Sequence, residues 1–147
     1  MLKKIILDCD PGHDDAVAIM LAAANEDIEI LGITCVGGNT TLENTKTNSL
    51  KICSLIGRTD LNIYSGAEKP LKYDLVTAAH VHGKSGLDIE GSPISIAENY
   101  NLQDQHAVDF IIQTCHDYEG QIYLCATGPL TNIAMSLKKD SSIVKKI

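Results

Sequence analysis

The segment that decides the fold reads Ile5-Ile6-Leu7-Asp8-Cys9-Asp10-Pro11-Gly12-His13-Asp14-Asp15-Ala16. It begins as a short apolar run that favours a buried β-strand. From Asp14 to Ala24 the chain is rich in Ala, Leu and Met, which favours a helix. Pro11 and Gly12 lie between these two parts and predict a tight turn. The segment therefore indicates a strand, a turn and a helix in direct succession.

The same alternation continues along the chain. The further predicted elements are strands at residues 28–36, 61–64 and 121–126 and helices at residues 41–56, from 107 onward and after 130. Repeated strand–helix units are typical of an α/β fold, an open and mostly parallel sheet with helices on both faces. We interpret residues 1–147 as part of a single domain, because no repeat or linker interrupts the pattern.

One long stretch, residues 66–104, lacks regular periodicity and is rich in Gly, Pro, His and Ser. An irregular stretch of this length in a compact domain is usually functional or a lid. Ligands of open parallel sheets bind beyond the carboxyl ends of the strands. We therefore expect chemistry at those strand ends.

Composition argues against several classes of protein. The formal net charge of −7 disfavours broad nucleic-acid binding, which needs clustered Lys and Arg. No apolar run approaches the ~20 residues of a membrane span, and the first apolar run is too short for a signal peptide, so we expect a cytoplasmic protein with no membrane contact. The five cysteines form no C-x-x-C pair, and we expect buried, reduced thiols.

The first strand is followed by a dense acidic cluster. Asp8, Asp10, Asp14 and Asp15 place four carboxylates within eight residues. Crowded carboxylates repel one another unless a cation or protons intervene, and oxygen ligands on turns suit a hard cation such as calcium. Helix capping is the alternative interpretation, since Asp is stabilised in a first helical turn. Capping accounts for one or two of these acids, but it does not account for four.

The cluster resembles the D-x-D-P-G-x-D-D-A signature of the inosine–uridine-type nucleoside hydrolases. The resemblance implies that Asp10 and Asp15 are calcium ligands and that Asp10 is also the general base acting on a calcium-bound water. It further implies that Asp14 contacts the ribose hydroxyls. Asp8 is expected to support the loop through hydrogen bonds. The implied fold is the Rossmann-like nucleoside hydrolase fold.

Three later segments are similar to the same family. Asn39 follows the second strand in Gly-Gly-Asn, which on its own indicates a turn, and by resemblance it binds ribose. The family's G-P-L-[ST]-N segment implies that the main-chain carbonyl of Thr127 is a calcium ligand and that Asn132 orders the loop. The H-G-x-[ST]-G-L-D segment implies that His82 lies beside the nucleobase and aids protonation of the leaving group.

The remaining histidines carry no implied role. His80 and His82 alternate and could bind zinc, but no third ligand is evident nearby, so zinc is not expected. We expect His13, His106 and His116 to be surface or capping residues.

The resemblance implies hydrolysis of the N-glycosidic bond of ribonucleosides to ribose and free base, with Asp14 and Asn39 fixing the sugar. The Asp-Cys-Asp-Pro-Gly-His opening and His82 favour the pyrimidine-preferring branch. The family's later segments, including an Asp that completes the calcium shell, do not occur in this sequence. We therefore expect a truncated chain whose calcium site is one carboxylate short. We also expect it to associate through an uncovered sheet edge, or as the homo-oligomer of full-length members.

Two alternatives remain open from the sequence. One is a non-catalytic module that binds ribosyl ligands or calcium. The other is a haloacid-dehalogenase-like phosphatase, which also places D-x-D after a first strand. That family requires Thr or Val where this chain has Gly12, and it lacks the Asp14–Asp15 pair.

Overall fold

The computed structural model describes residues 2–88 and 93–147. The strands are β1 (Lys3–Cys9), β2 (Ile28–Cys35), β3 (Ile63–Ser65) and β4 (Ile122–Ala126). The helices are α1 (His13–Ala24), α2 (Leu42–Leu55), α3 (Ala79–His82), α4 (Ala107–Asp117) and α5 (Thr131–Lys139), followed by a 3-10 helix at Ser141–Lys145. The predicted alternation of strands and helices is confirmed.

The four strands form one sheet in the order β3-β2-β1-β4, and every neighbouring pair is parallel. The predicted parallel α/β class is therefore confirmed. β1 lies between β2 and β4, where Asp8 pairs in register with Thr34 on one side and Ala126 on the other. Since parallel strands end at the same edge, the acids after β1 are flanked by the segments after β2 and β4.

Helices cover both faces of the sheet, because successive side chains of a strand point to opposite faces. Ile5 and Leu7 of β1 pack in one apolar cluster with α1 and α2. Ile6, which lies between them, packs in a second cluster with α4 and with Ile143 of the 3-10 helix. All five cysteines are free, and the four that are fully buried are Cys9, Cys35, Cys53 and Cys115. The expected burial of the thiols is thus observed for these four, with Cys125 half-buried.

The irregular stretch after β3 contains the short helix α3, which the sequence pattern did not predict. A helix of four residues is too short to display an apolar period. The rest of the described stretch consists of turns and bends, with one parallel bridge from Gln103 to Tyr64.

The described sheet has an uncovered edge at β4, as expected. Tyr123 in this strand is 57% exposed. β4 also lines an open cleft of about 830 Å³ together with Leu2 and Ile147. No helix in the described part of the chain is both long and apolar enough to cross a bilayer.

Candidate active site

Three of the four acids between the end of β1 and the start of α1 are buried at the carboxyl edge of the sheet. Asp8, Asp10 and Asp15 are buried, whereas the Asp14 side chain is 74% exposed. The turn through Pro11 and Gly12 brings Asp15, in the first turn of α1, back to the end of β1. There Asp15 Oδ2 accepts a hydrogen bond of 3.0 Å from the Asp10 amide. The two carboxylates predicted as metal ligands therefore lie together.

The Asp10 carboxylate sits between the segments that follow β2 and β4. Its Oδ2 accepts a hydrogen bond of 2.6 Å from the Asn39 amide, and the Asn39 side chain donates to the Asp10 carbonyl at 3.2 Å. Two glycines leave room for it. A Cβ on Gly38 would lie 2.1 Å from Asp10 Oδ2, and one on Gly128 would lie 2.8 Å from Oδ1. Thr127, just after β4, lies near enough to Asp15 to lower the pKa of that carboxyl.

Burial raises the pKa values of Asp8, Asp10 and Asp15. Loss of hydration raises the pKa of Asp8 and of Asp10 to about 6, from an ordinary value of 3.8. It also raises the pKa of Asp15, although hydrogen bonds from Thr127 and Asp10 oppose the effect. No ion pair within residues 2–88 and 93–147 includes any of the three acids. The cluster is therefore a buried concentration of oxygen atoms that a cation would stabilise.

Asp8 is fully buried, and one of its two carboxylate oxygens lies in a hydrogen-bond network, whereas Oδ2 has no partner among the described residues. Its Oδ1 accepts from Thr34 Oγ1 at 2.6 Å and from Asn132 Nδ2 at 2.8 Å. Asp8 and Asn132 have no exposed surface. These contacts join Asp8 and Asn132 to the strand ends, and their expected role in supporting the loops stays a prediction.

His82 ends α3 and lies over the turn that leads into α1. Its Nε2 is 4.0 Å from Asp14 Oδ1, and its ring stacks on that of His13 with 5.8 Å between centroids. Its Nδ1 is buried and has no partner among the described residues. A Cβ on Gly12 would lie 2.6 Å from Nδ1, so the glycine permits this close approach. The geometry brings His82 and Asp14 to the same side of the site.

The segment after His82 is held against the site by a second set of hydrogen bonds. Asn48 of α2 donates through Nδ2 to the carbonyls of Pro11 and Ser85, both at 2.9 Å. Asp88 accepts from the Lys84 amide at 2.9 Å and from the Ser85 side chain. This segment is thereby tied to the turn that carries the acids.

The other histidines lie at the surface or at helix ends. His80, for which no zinc role is expected, is exposed on α3. His106 caps α4 by accepting from the Val108 amide at 3.2 Å, and His116 pairs with Asp140 at 2.7 Å. Both have the surface or capping roles predicted for them. His13 is exposed as predicted, but its contact with His82 also places it at the site.

The sequence of residues 5–147 matches the family model of the inosine-uridine preferring nucleoside hydrolases. The chain belongs to this family. An uncharacterised protein of Schizosaccharomyces pombe is 46% identical over 147 residues, and the pyrimidine-specific ribonucleoside hydrolase RihB of Escherichia coli is 41% identical over 145 residues. These alignments cover 97% and 99% of this chain, but 46% and 45% of the two relatives.

Solved structures of nucleoside hydrolases share the fold. A plant nucleoside hydrolase and a purine-preferring ribonucleoside hydrolase from Gardnerella vaginalis each superpose with a TM-score of 0.90, at 32% and 36% identity. Each comparison covers 99% of this chain and 46% of the other chain. The chain therefore spans somewhat less than half the length of the relatives that it matches. Family membership favours the nucleoside hydrolase interpretation over the phosphatase alternative.

The residues that the nucleoside hydrolase signature predicted lie around one strand edge. The sequence did not reveal that Gly38 and Gly128 leave the space that the Asp10 carboxylate occupies, here called the Asp10 cradle. It also did not reveal the hydrogen bonds of Thr34 to Asp8 and of Asn48 to Pro11 and Ser85. Gly38 had a visible signal, the Gly-Gly-Asn run, but a turn was its simplest interpretation. The hydrogen bonds of Thr34 and Asn48 had no signal in the sequence, since a buried Thr or Asn is not distinguishable from an exposed one in a single sequence.

The donor set fits a hard cation in part. Within the described residues, no group of three or more His, Cys, Asp or Glu side chains is arranged to hold a metal ion. Asp10 and Asp15 nevertheless supply adjacent buried carboxylates with raised pKa values, and Thr127 adjoins them. Carboxylate and carbonyl oxygens of this kind suit calcium.

Proposed function

We propose that this chain carries the calcium-binding and ribose-binding part of an enzyme that hydrolyses the N-glycosidic bond of ribonucleosides. The observation that carries the proposal is the buried Asp10–Asp15 pair, with Asn39 bound to Asp10, in a member of the nucleoside hydrolase family. Two of the relatives, RihB and the Gardnerella vaginalis enzyme, are named ribonucleoside hydrolases, which supports the same reaction class.

In the proposed reaction, water adds to the anomeric carbon of ribose while the bond from that carbon to the base nitrogen breaks. The electron pair of the broken bond leaves with the base, which must gain a proton. Asp10 accepts a proton from the attacking water, and general base catalysis typically contributes ~10²–10⁴-fold. Without a bound cation, burial raises the pKa of Asp10 to about 6, which still leaves most of this carboxyl ionised at neutral pH.

The other residues orient the substrate. Asp14, exposed at the start of α1, and Asn39, half-buried beside Asp10, are proposed to hold the ribose hydroxyls. His82 is proposed to lie beside the base and to aid protonation of the leaving group; its Nε2, 4.0 Å from the proposed ribose ligand Asp14, supports this position. Calcium held by Asp10, Asp15 and the Thr127 carbonyl would polarise the water and neutralise the carboxylates.

We further propose a preference for pyrimidine nucleosides. The support is the pyrimidine specificity for which RihB is named, together with the Asp-Cys-Asp-Pro-Gly-His opening. The Gardnerella relative is named purine-preferring, so inosine must be tested beside uridine.

The test is release of reducing sugar from uridine and from inosine, with calcium and with a chelator. We expect release that requires calcium and that falls at least ~10²-fold in Asp10→Asn, since that change removes the base. Asp74→Asn is the matched control, because Asp74 is exposed and lies outside the site. Release that persists in chelator, or in Asp10→Asn at the control's rate, would contradict the proposed mechanism.

A second candidate function is binding of calcium and ribosyl ligands without turnover. It is favoured by the small number of metal-binding side chains brought together in the described residues. Calorimetric binding of calcium and uridine, abolished by Asp10→Asn but with no sugar released, would support this candidate over the hydrolase.

A further inference from the structure

We infer that Asn132 is a positioning residue for the calcium and ribose site, an inference that rests on the function proposed above. Asn132 belongs to α5 and lies 124 residues from Asp8 in sequence, yet its side chain reaches three strand ends at once. It is fully buried, so its amide must be satisfied by the protein. No other described contact joins these three strand ends through one side chain.

The orientation of the Asn132 amide is fixed by backbone groups. Oδ1 accepts from the Ala67 amide at 2.8 Å, just after β3, and only an oxygen can accept there. Nδ2 donates to the Cys35 carbonyl at 3.1 Å, at the end of β2, and only a nitrogen can donate there. Nδ2 is thereby also directed at Asp8 Oδ1, at the end of β1. The amide thus requires one specific alignment of the three strands.

Two short paths connect this amide to the proposed ligands. The Ala67 carbonyl accepts from the Gly37 amide at 2.8 Å, which fixes the segment whose next residues place Asn39 on Asp10. The Asp8 carbonyl accepts from the Thr127 amide at 2.9 Å, which fixes the strand end that carries the third proposed ligand. Asn132 therefore sets the separation between groups that come from different strands.

The Asn132 amide packs against the Gly66 backbone with no room for a side chain at position 66. A Cβ on Gly66 would lie 2.3 Å from Asn132 Oδ1 and 2.4 Å from the Cys35 carbonyl. The Gly66 backbone therefore packs directly against the Asn132 amide and the Cys35 carbonyl. An acidic side chain of the same shape would face the Cys35 carbonyl and Asp8 with oxygen in place of nitrogen.

The experiment compares Asn132→Asp with Thr34→Val, both nearly isosteric and both at fully buried positions. Thr34→Val removes the other donor to Asp8 Oδ1 but no bond to the β3 segment. The first readout is hydrogen exchange of the Asn39 and Ala67 amides relative to amides of α2. The second is the calcium dissociation constant of the folded chain. Asn132→Ser, whose hydroxyl cannot reach three partners, replaces Asn132→Asp if that variant does not fold.

We expect Asn132→Asp to accelerate exchange at Asn39 and Ala67 by at least ~10-fold relative to α2, and to weaken calcium binding by a similar factor. Thr34→Val should change neither ratio by more than about twofold. Uniform acceleration across the chain, or equal effects of the two variants, would overturn the inference and leave Asn132 a general stabilising residue. If the exchange result holds but the unmodified chain binds no calcium, the positioning role stands and the proposed metal site fails.

Discussion

Gly38→Ala tests whether the Asp10 cradle is required for metal binding. The added Cβ would lie 2.1 Å from Asp10 Oδ2 and 2.8 Å from Pro129 Cδ. An ordinary contact between carbon and oxygen is ~3.3–3.6 Å, so the carboxylate must move by more than about 1 Å. That movement breaks the 2.6 Å hydrogen bond from the Asn39 amide.

The magnitude follows from the charge on Asp10. A hydrogen bond to a charged group typically contributes ~1.5–3 kcal/mol, and displacement of the carboxylate loses a similar amount at the cation. Since 1.4 kcal/mol corresponds to a factor of ten, we expect calcium affinity to fall about 10- to 100-fold. The free energy of unfolding without calcium should fall by about 1–3 kcal/mol, because a buried donor is left unsatisfied.

The assay is calorimetric calcium titration, with urea unfolding of the same samples in chelator. Gly57→Ala is the matched control. Gly57 has a φ of +70° and nothing within 4 Å of an added Cβ, so its cost is backbone strain of about 1–2 kcal/mol, away from the site. Both variants should therefore lose stability, but only Gly38→Ala should lose calcium affinity. Wild-type calcium affinity in Gly38→Ala would refute the assignment of Asp10 as a ligand.

Four further outcomes are expected. In chelator the chain should be more resistant to urea at pH 5 than at pH 7. Burial raises the pKa of Asp8 from 3.8 to about 6, so the unfolded chain ionises first and the free energy of unfolding falls by up to about 3 kcal/mol as the pH rises through this window, about 1 kcal/mol of it between pH 5 and pH 7. Thr41→Ala removes the Oγ1 that caps α2 at the Asn44 amide and should cost about 1 kcal/mol in the same urea assay. Gly12→Ala should displace the His82 ring and weaken uridine binding more than calcium binding in parallel titrations. The uncovered β4 edge should make the chain self-associate, and sedimentation as a stable monomer would contradict this.

Much of the fold could be predicted because its signals are local. The apolar run before Asp8, the Pro11–Gly12 turn and the Ala-rich segment after it specify a strand, a turn and a helix within one short window. The boundaries of α2 differ by one residue at each end from those predicted, since Thr41 is the cap rather than the first helical residue. α3 was not predicted, because four residues show no period.

The individual side chains of the site were reached mainly through the family signature. Spacing indicated a cation at the acidic cluster, but it could not separate Asp14 from Asp15. The structure separates them by burial: Asp15 turns inward to the Asp10 amide, whereas Asp14 remains exposed beside His82. Adjacent residues in a first helical turn point in different directions, and which direction is inward depends on how the helix packs on the sheet.

The sequence by itself determined the parallel α/β class and the gathering of carboxylates at a strand end, because periodicity and turn chemistry act over a few residues. Only the tertiary structure decided that β1 lies between β2 and β4, and this order brings Asn132 to Asp8 and Gly38 to Asp10. It also decided the raised pKa values, which arise from loss of water around Asp8 and Asp10. Contacts between distant residues and burial depend on how all elements pack together, and no local pattern encodes that packing.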